Sequence, residues 1–384
     1  MSNLQHNWRI AVLCCTLLSA ASVEARTIFF SNTKTANTAS FTLSDNELSA
    51  RVKNLNLPME ARLTTPVRTK IRRYVTVGSL ESQDLLGRTA LYFPVFEHYL
   101  RVYDLPQSLK YLPLVESRLL PQSVSPASAA GLWQFMPATA RSLGLHINGS
   151  VDERLDTHRS TEAAVKMLAE LYERYDDWAL ALAAYNCGPA RVNSAIRRAG
   201  NKRDYWAIQR FLPRESQLYV PAFIAAAYLV EYHDAHQLTP NYPSFQLQET
   251  RTFRIYGGLS LYKVAKSLGI DYNTLKELNP GFLRGAVPRD TRGYYVVIPA
   301  SSATLFSENY VRSESKIALP NGRFRSHYVT LPGDDFTTLT MLFSCSAKEL
   351  MRWNNLRSPD VTVNQPLLVF LPEMAGPPYG GPRP

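Results

Sequence analysis

The chain has 384 residues, 45% of them hydrophobic and 19% charged, and its 42 Lys and Arg outnumber 32 Asp and Glu for a formal charge of +10. That length exceeds one ordinary domain, and the apolar share supports sizeable cores, which excludes a disordered or fibrous chain. A positive balance favours polyanions, but the basic residues are dispersed, and without a zinc finger, an RNA-binding signature or a long Lys/Arg run nucleic acid is excluded as the partner.

At the N-terminus Arg9 precedes the apolar run 10–21, and Val23 and Ala25 follow in a V-x-A arrangement. Positive end, short apolar core and small residues form the order of a secretory signal peptide, with cleavage expected after Ala25. The run is too short to span a bilayer comfortably. The mature chain is therefore expected to be exported to the periplasm or cell envelope with no membrane-spanning helix. Cys14 and Cys15 fall within this segment, leaving Cys187 and Cys345 in separate domains, so no disulfide framework is expected. Residues 26–60, rich in Ser, Thr and Asn in their first half, read as a flexible leader.

Residues 61–240 read as one helical domain. LGRTALYFPVFEHYLRVYD (86–104) spaces apolar residues three and four apart, with Pro94 expected to kink or start a helix. Pro106 opens a further helix through LKYLPLVES, with Glu116 near its end. Ser160 is the expected N-cap of 161–175. Residues 177–188, almost entirely apolar, predict a helix buried on all sides that stops at Gly188. Residues 220–233 predict a last core helix. His233 and His236 have a faint ligand spacing, but two histidines read as surface residues, and no metal site is assigned. The acidic cluster Asp152, Glu153 and Asp156 reads as helix-start and surface groups.

QLTPNYPSFQLQET (237–250) reads as a linker. Beyond it, 251–300 runs strand, helix, helix, strand, and 326–372 repeats that order in under 50 residues, an internal duplication. A tail over 373–384 is expected to be disordered. The fold class expected is thus a mainly α domain followed by two small β-α-α-β modules.

Three blocks carry the chemistry: YLPLVESRLLPQSVSPASAAGLWQFMPATARSLGL (111–145), AYNCGPARV (184–192) and ESQLYVPAFIAA (215–226). Glu116 sits in a mostly apolar segment, where burial disfavours the charged carboxylate and raises its pKa, as a general acid working near neutral pH requires. Alone it would equally cap or pair at a helix end. Neither the GLWQFMP nor the AYN block supplies a second carboxylate, which leaves Glu215 as the candidate partner acid.

Taken in this order, the blocks resemble the lysozyme-like domain of lytic transglycosylases, of the membrane-bound murein transglycosylase D type, over roughly 85–235. The resemblance implies a lysozyme-like fold of the α+β superfamily and a single catalytic Glu, matched by Glu116, acting as acid and then base. The substrate's own 6-hydroxyl closes onto C1 of the MurNAc–GlcNAc linkage to give 1,6-anhydro-N-acetylmuramic acid, so neither a second carboxylate nor a cofactor is needed. It further implies substrate-binding roles for Ser125, Gln134, Met136, Tyr185, Asn186, Glu215 and Tyr219. Two departures stand out: Ser128 occupies a position where the family usually has Gly, and Ser216-Gln217 replaces the usual Thr-Arg.

The two C-terminal repeats resemble LysM modules, which bind N-acetylglucosamine-containing glycans. The second is the closer match, through Gly333, Asp334 and Phe336 on one side and Asn354, Asn355 and Leu356 on the other; the first is degenerate. Peptidoglycan strands are the expected partner, a peripheral association with a membrane is compatible, and no protein partner is indicated. A muramidase-type hydrolase of the same fold and a non-catalytic cell-wall-binding scaffold are the alternatives.

Overall fold

The computed structural model describes residues 43–255, 258–290, 293–311, 323–330, 334–343, 345–362 and 365–372. The expected signal peptide, the first part of the leader, the tail and Gly333 lie outside these residues.

The expected leader over 26–60 is corrected in its second half. Residues Asp45–Lys53 form α1, capped by Ser44, whose Oγ accepts from the Glu47 N–H. Leu48 and Val52, one turn apart, are fully buried, and the helix packs on the last core helix. A buried apolar stripe decides order here against the polar composition around it.

The helical domain continues with α2 (Thr65–Val75) and α3 (Ser79–Val102). Pro94 neither starts nor breaks α3. It is exposed on the solvent face, where water can take up the carbonyl it leaves unpaired. After a 3-10 turn, Gln107–Tyr111, comes the short α4 (Leu112–Glu116). Then follow α5 (Pro137–Ser142), α6 (Thr157–Tyr175), α7 (Trp178–Cys187), α8 (Pro189–Arg198), α9 (Tyr205–Ile208) and α10 (Tyr219–Tyr232). The α6 cap is Asp156, not Ser160: its carboxylate accepts from the Arg159 N–H, and Ser160 is buried one turn inside. α7 is buried along its first seven residues, and only Tyr185 and Asn186 near its end are partly exposed. α10 packs against α2, α4 and α7 and forms the centre of the core.

The expected linker over 237–250 is pinned along part of its length. Asn241 hydrogen-bonds α3 through main chain and side chain (N–H to the Gln83 carbonyl, 2.9 Å; Nδ2 to Asp84 Oδ1, 2.8 Å). Its carbonyl lies so close to Gly87 that a Cβ there would stand 1.7 Å away, so only glycine fits. The short α11 (Phe245–Gln248) then leads into the first module.

That module is β1 (Thr250–Ile255), β2 (Leu259–Ser260), α12 (Leu261–Leu268), α13 (Tyr272–Leu278), β3 (Ala286–Val287) and β4 (Tyr294–Pro299), with β1 antiparallel to β4 and β2 to β3. After α14 (Ala303–Phe306) the second module repeats the plan as β5 (Arg323–Val329), α15 (Phe336–Leu342), α16 (Ala347–Asn354) and β6 (Pro366–Pro372), with β5 antiparallel to β6. The duplication extends to one side chain. Asn279 bridges Leu275 and Val297 through three main-chain hydrogen bonds, and Asn354 bridges Leu350 and Leu368 in the same way. Each Asn locks the second helix of its module to the last strand.

Candidate active site

Glu116 is the last residue of α4, and its carboxyl faces α10 and the end of α7. The Tyr219 hydroxyl, at the first turn of α10, donates to Glu116 Oε1. Burial raises the Glu116 pKa; the Tyr219 hydrogen bond opposes this and the Glu215 charge reinforces it, and the outcome is about 7. A carboxyl at that value is both an available acid and, once ionised, an available base near neutrality. Tyr185 also lies within the electrostatic reach of Glu116, and burial holds its phenol well above the ordinary range, so it is a neutral donor here. Glu215, although acidic and close enough to matter, is exposed.

The three blocks interlock through neutral hydrogen bonds. Ser117 donates to the Leu132 carbonyl (2.9 Å), tying the end of α4 to the GLWQF segment. Tyr185 donates to the Trp133 carbonyl (2.8 Å), tying the same segment to α7. Ser216 donates to Asn186 Oδ1 (2.6 Å), tying α7 to the approach to α10. Trp133 is fully buried, edge-on to Phe96, with its indole N–H donated to Thr161 Oγ1.

The structure places the sequence-derived site residues unequally. Glu116, Tyr185, Glu215 and Tyr219 come together, with Asn186 held beside them. Ser125, Gln134 and Met136 belong to the loop after α4, and two of them carry loop structure as well. Ser125 Oγ accepts from the Ala129 N–H (3.0 Å). Gln134, itself at positive φ, donates its amide to the Ser123 and Gly131 carbonyls (3.2 and 2.9 Å). Met136 precedes α5 with an exposed side chain. Ser128, where the family usually has Gly, has φ 67. A left-handed non-glycine residue costs about 1–2 kcal/mol, partly offset by the backbone entropy that Gly would lose. Ser128→Gly is therefore expected to stabilise the protein by about 0.5–1 kcal/mol, read as a higher urea midpoint with an unchanged slope.

The acidic cluster is corrected: Asp152 and Glu153 are buried, not surface groups. Asp152 grips Arg154 in a two-pronged ion pair (3.0 and 2.7 Å), and Arg154 donates onward to the Ser128 and Phe135 carbonyls (2.6 and 3.1 Å). Arg154 thus buckles both ends of the loop that carries Gln134. Sequence reasoning missed it, because an Arg among acids reads locally as a solvated run. Gly131, φ 84, lies against the Arg154 carbonyl, where a Cβ would stand 1.8 Å away.

In the second module the expected glycan-facing set is also changed. Phe336 is buried in the module core, and Leu356 packs against it. The Asn354 amide is occupied by the main chain, and Asn355, φ 51, is the α16 cap. Asp334 accepts from the Tyr328 hydroxyl (2.7 Å). Phe336 and Asn354 are therefore framework, because the turn geometry directs both side chains inward.

Comparison with known proteins agrees with this architecture. The transglycosylase SLT domain matches residues 94–208, the LysM-like domain of lytic transglycosylase MltD matches 249–315, and the LysM domain matches 328–370. The membrane-bound lytic murein transglycosylase D of Escherichia coli K12 is 31% identical over 279 residues, covering 69% of this chain and 60% of that protein. The chain thus spans about 60% of the length of that curated relative. The soluble lytic murein transglycosylase of the same organism is 28% identical over 141 residues, 35% of this chain and 22% of its own. The crystal structure of the 70 kDa soluble lytic transglycosylase of Escherichia coli aligns with 39% of this chain and 26% of its own, at 26% identity and a TM-score of 0.33. The chain thus carries, in this order, a transglycosylase SLT domain, a LysM-like domain of the lytic transglycosylase MltD type and a LysM domain.

Proposed function

We propose that this protein is a peptidoglycan lytic transglycosylase of the cell envelope that cleaves the MurNAc–GlcNAc bond without water. The observation that carries the reading is the Glu116 carboxyl, poised at about 7 by burial and met by the Tyr219 hydroxyl. Protonated Glu116 gives its proton to the glycosidic oxygen as the C1–O bond breaks and positive charge grows at C1. The carboxylate left behind accepts the Tyr219 hydrogen bond and, with Glu215, faces that charge. It then takes the proton of the 6-hydroxyl while O6 bonds to C1, which restores the acid and leaves the anhydro ring. An attacking group already within the substrate has a high effective concentration, so no second carboxylate is needed to activate water. Ser125, Met136 and Asn186 line the approach to this centre, and Gln134 shapes it. Proton transfer and ring closure need no cofactor. The second module adds a weak hold on the repeating glycan, which raises the local concentration of cleavable bonds.

Mass spectrometry of the products from purified peptidoglycan tests this directly. Muropeptides one water lighter than hydrolysis products, with no reducing end, are expected. Reducing ends would reassign the protein as a muramidase with Glu215 as the base for water. Sacculus binding without products, on intact membranes as well as in solution, would make it a scaffold.

Tyr219→Phe supplies a second test. Removing the donor that lowers the Glu116 pKa raises it further, so the limb where activity falls with rising pH should move to higher pH. Loss of a hydrogen bond to the carboxylate should lower kcat about 10–100-fold. An unmoved limb would show that the hydroxyl does not act on Glu116.

A further inference from the structure

The first module is built differently from a glycan-binding unit, although it keeps the fold. A glycan would lie between the two loops that flank the helix pair. In both modules those loops are joined to each other, through Leu259–Val287 and Ser260–Ala286 pairing in the first and through Thr330 to Thr362 and Gln365 in the second, so the first differs in what its second loop touches. The loop after α13 also runs against the helical domain. The Asp152 N–H donates to the Gly281 carbonyl and the Leu283 N–H to the Ser150 carbonyl, both at 3.0 Å, with Val151 and Phe282 opposite each other as in an antiparallel sheet. Val151 is buried in the module's core rather than in that of its own domain. Arg159 of α6 donates to the Gly293 carbonyl (3.2 Å) and lies over the Tyr295 ring, and His158 meets Thr252 (3.2 Å).

This seam touches the segment that positions the active-site loop. Gly281 holds the main chain of Asp152; the Asp152 carboxylate holds Arg154; Arg154 holds the carbonyls of Ser128 and Phe135. Two residues on from the Gly281 contact, the chain has already passed into the buckle of the loop.

We propose that the first LysM-like module is a brace for the catalytic loop rather than a second glycan-binding site, and that Gly281 is the positioning residue through which it acts. Gly281 serves because it is small: a Cβ would stand 3.2 Å from the Asp152 carbonyl and 3.6 Å from the Asp156 Cβ. The three atoms nearest to such a Cβ, leaving out the chain neighbours, all belong to Asp152 and Asp156 of the helical domain, so enlarging Gly281 presses first on that side of the seam. The kinetic part of the inference rests on the transglycosylase reading; the structural part does not.

The test uses the full chain with Gly281→Ala and Gly281→Val. Both are expected to keep their helical circular dichroism and their retention on insoluble peptidoglycan. On soluble glycan strands kcat should fall about tenfold for Gly281→Val and less for Gly281→Ala, with KM within about twofold, since a small misplacement of a loop costs rate more than affinity. Amide exchange at Ala129, Ala130 and Phe135 should quicken in the same order, while α6 and α10 keep their protection. Unchanged exchange at those three amides overturns the brace, whether or not the enzyme is active. Reduced sacculus retention with unchanged kcat and exchange would return the module to glycan binding. Activity absent in the unaltered protein, with quickened exchange in the variants, would sink the transglycosylase reading and leave the brace standing.

Discussion

Replacing Glu116 by Gln is expected to lower turnover on peptidoglycan by about 10³-fold or more, since one side chain is asked to supply both the acid and the base step. Gln has nearly the same shape and can still accept from Tyr219, so binding to sacculi should be almost unchanged. A second signature follows from the same carboxyl. Its pKa is raised in the fold from an ordinary carboxylate value to about 7. The stability associated with the protonated group is therefore complete below the unfolded value and is lost as pH rises through about 7. Gln does not titrate, so it escapes that loss. Relative to the unaltered protein, Glu116→Gln should gain little at pH 4 and up to about 3 kcal/mol at pH 8. Denaturant unfolding at the two pH values reads this difference. Full activity in the variant would remove Glu116 from the mechanism, and a stability difference independent of pH would show that the carboxyl is not enclosed as described.

Arg154→Met should give the largest loss of stability among the substitutions considered. It leaves the buried Asp152 carboxylate without its partner and the Ser128 and Phe135 carbonyls without their donor. Breaking one side of a buried, hydrogen-bonded ion pair costs about 3–5 kcal/mol. Arg154→Lys keeps the charge but cannot address Asp152 with two prongs and two carbonyls at once, so it should recover only part of the loss. Urea unfolding measures the cost, and kcat on soluble glycan should fall in the same order as the loop loosens. A loss below about 1 kcal/mol would mean that Gln134 and the Ser117 bond hold the loop unaided.

Local chemistry was sufficient for much of this protein. Apolar spacing located α6, α7 and α10 to within a few residues, although the cap expected for α6 lay one turn inside it, and the internal duplication was visible as strand, helix, helix, strand twice. The candidate acid Glu116 and its neighbours Tyr185, Glu215 and Tyr219 were legible because their blocks occur in a recognisable order; the apolar run around Glu116 alone left a helix-end role open. Errors arose where a residue's environment comes from distant chain. Asp152 and Glu153 read as surface acids because their partners, Arg154 and Arg159, acquire meaning only when a loop and a module close over them. Phe336 and Asn354 read as ligand contacts because only the packed module shows them turned inward.

By itself, the sequence determined the helical domain and the two modules, since period, capping and composition act over a few residues, and it singled out Glu116 as the candidate acid only through the order of the three blocks. Only the tertiary structure decided that this carboxyl titrates near neutrality, that Arg154 buckles the loop beside it and that the first module is docked through Gly281. Each of these depends on which groups are removed from water together, and desolvation is a property of the packed assembly rather than of any stretch of chain.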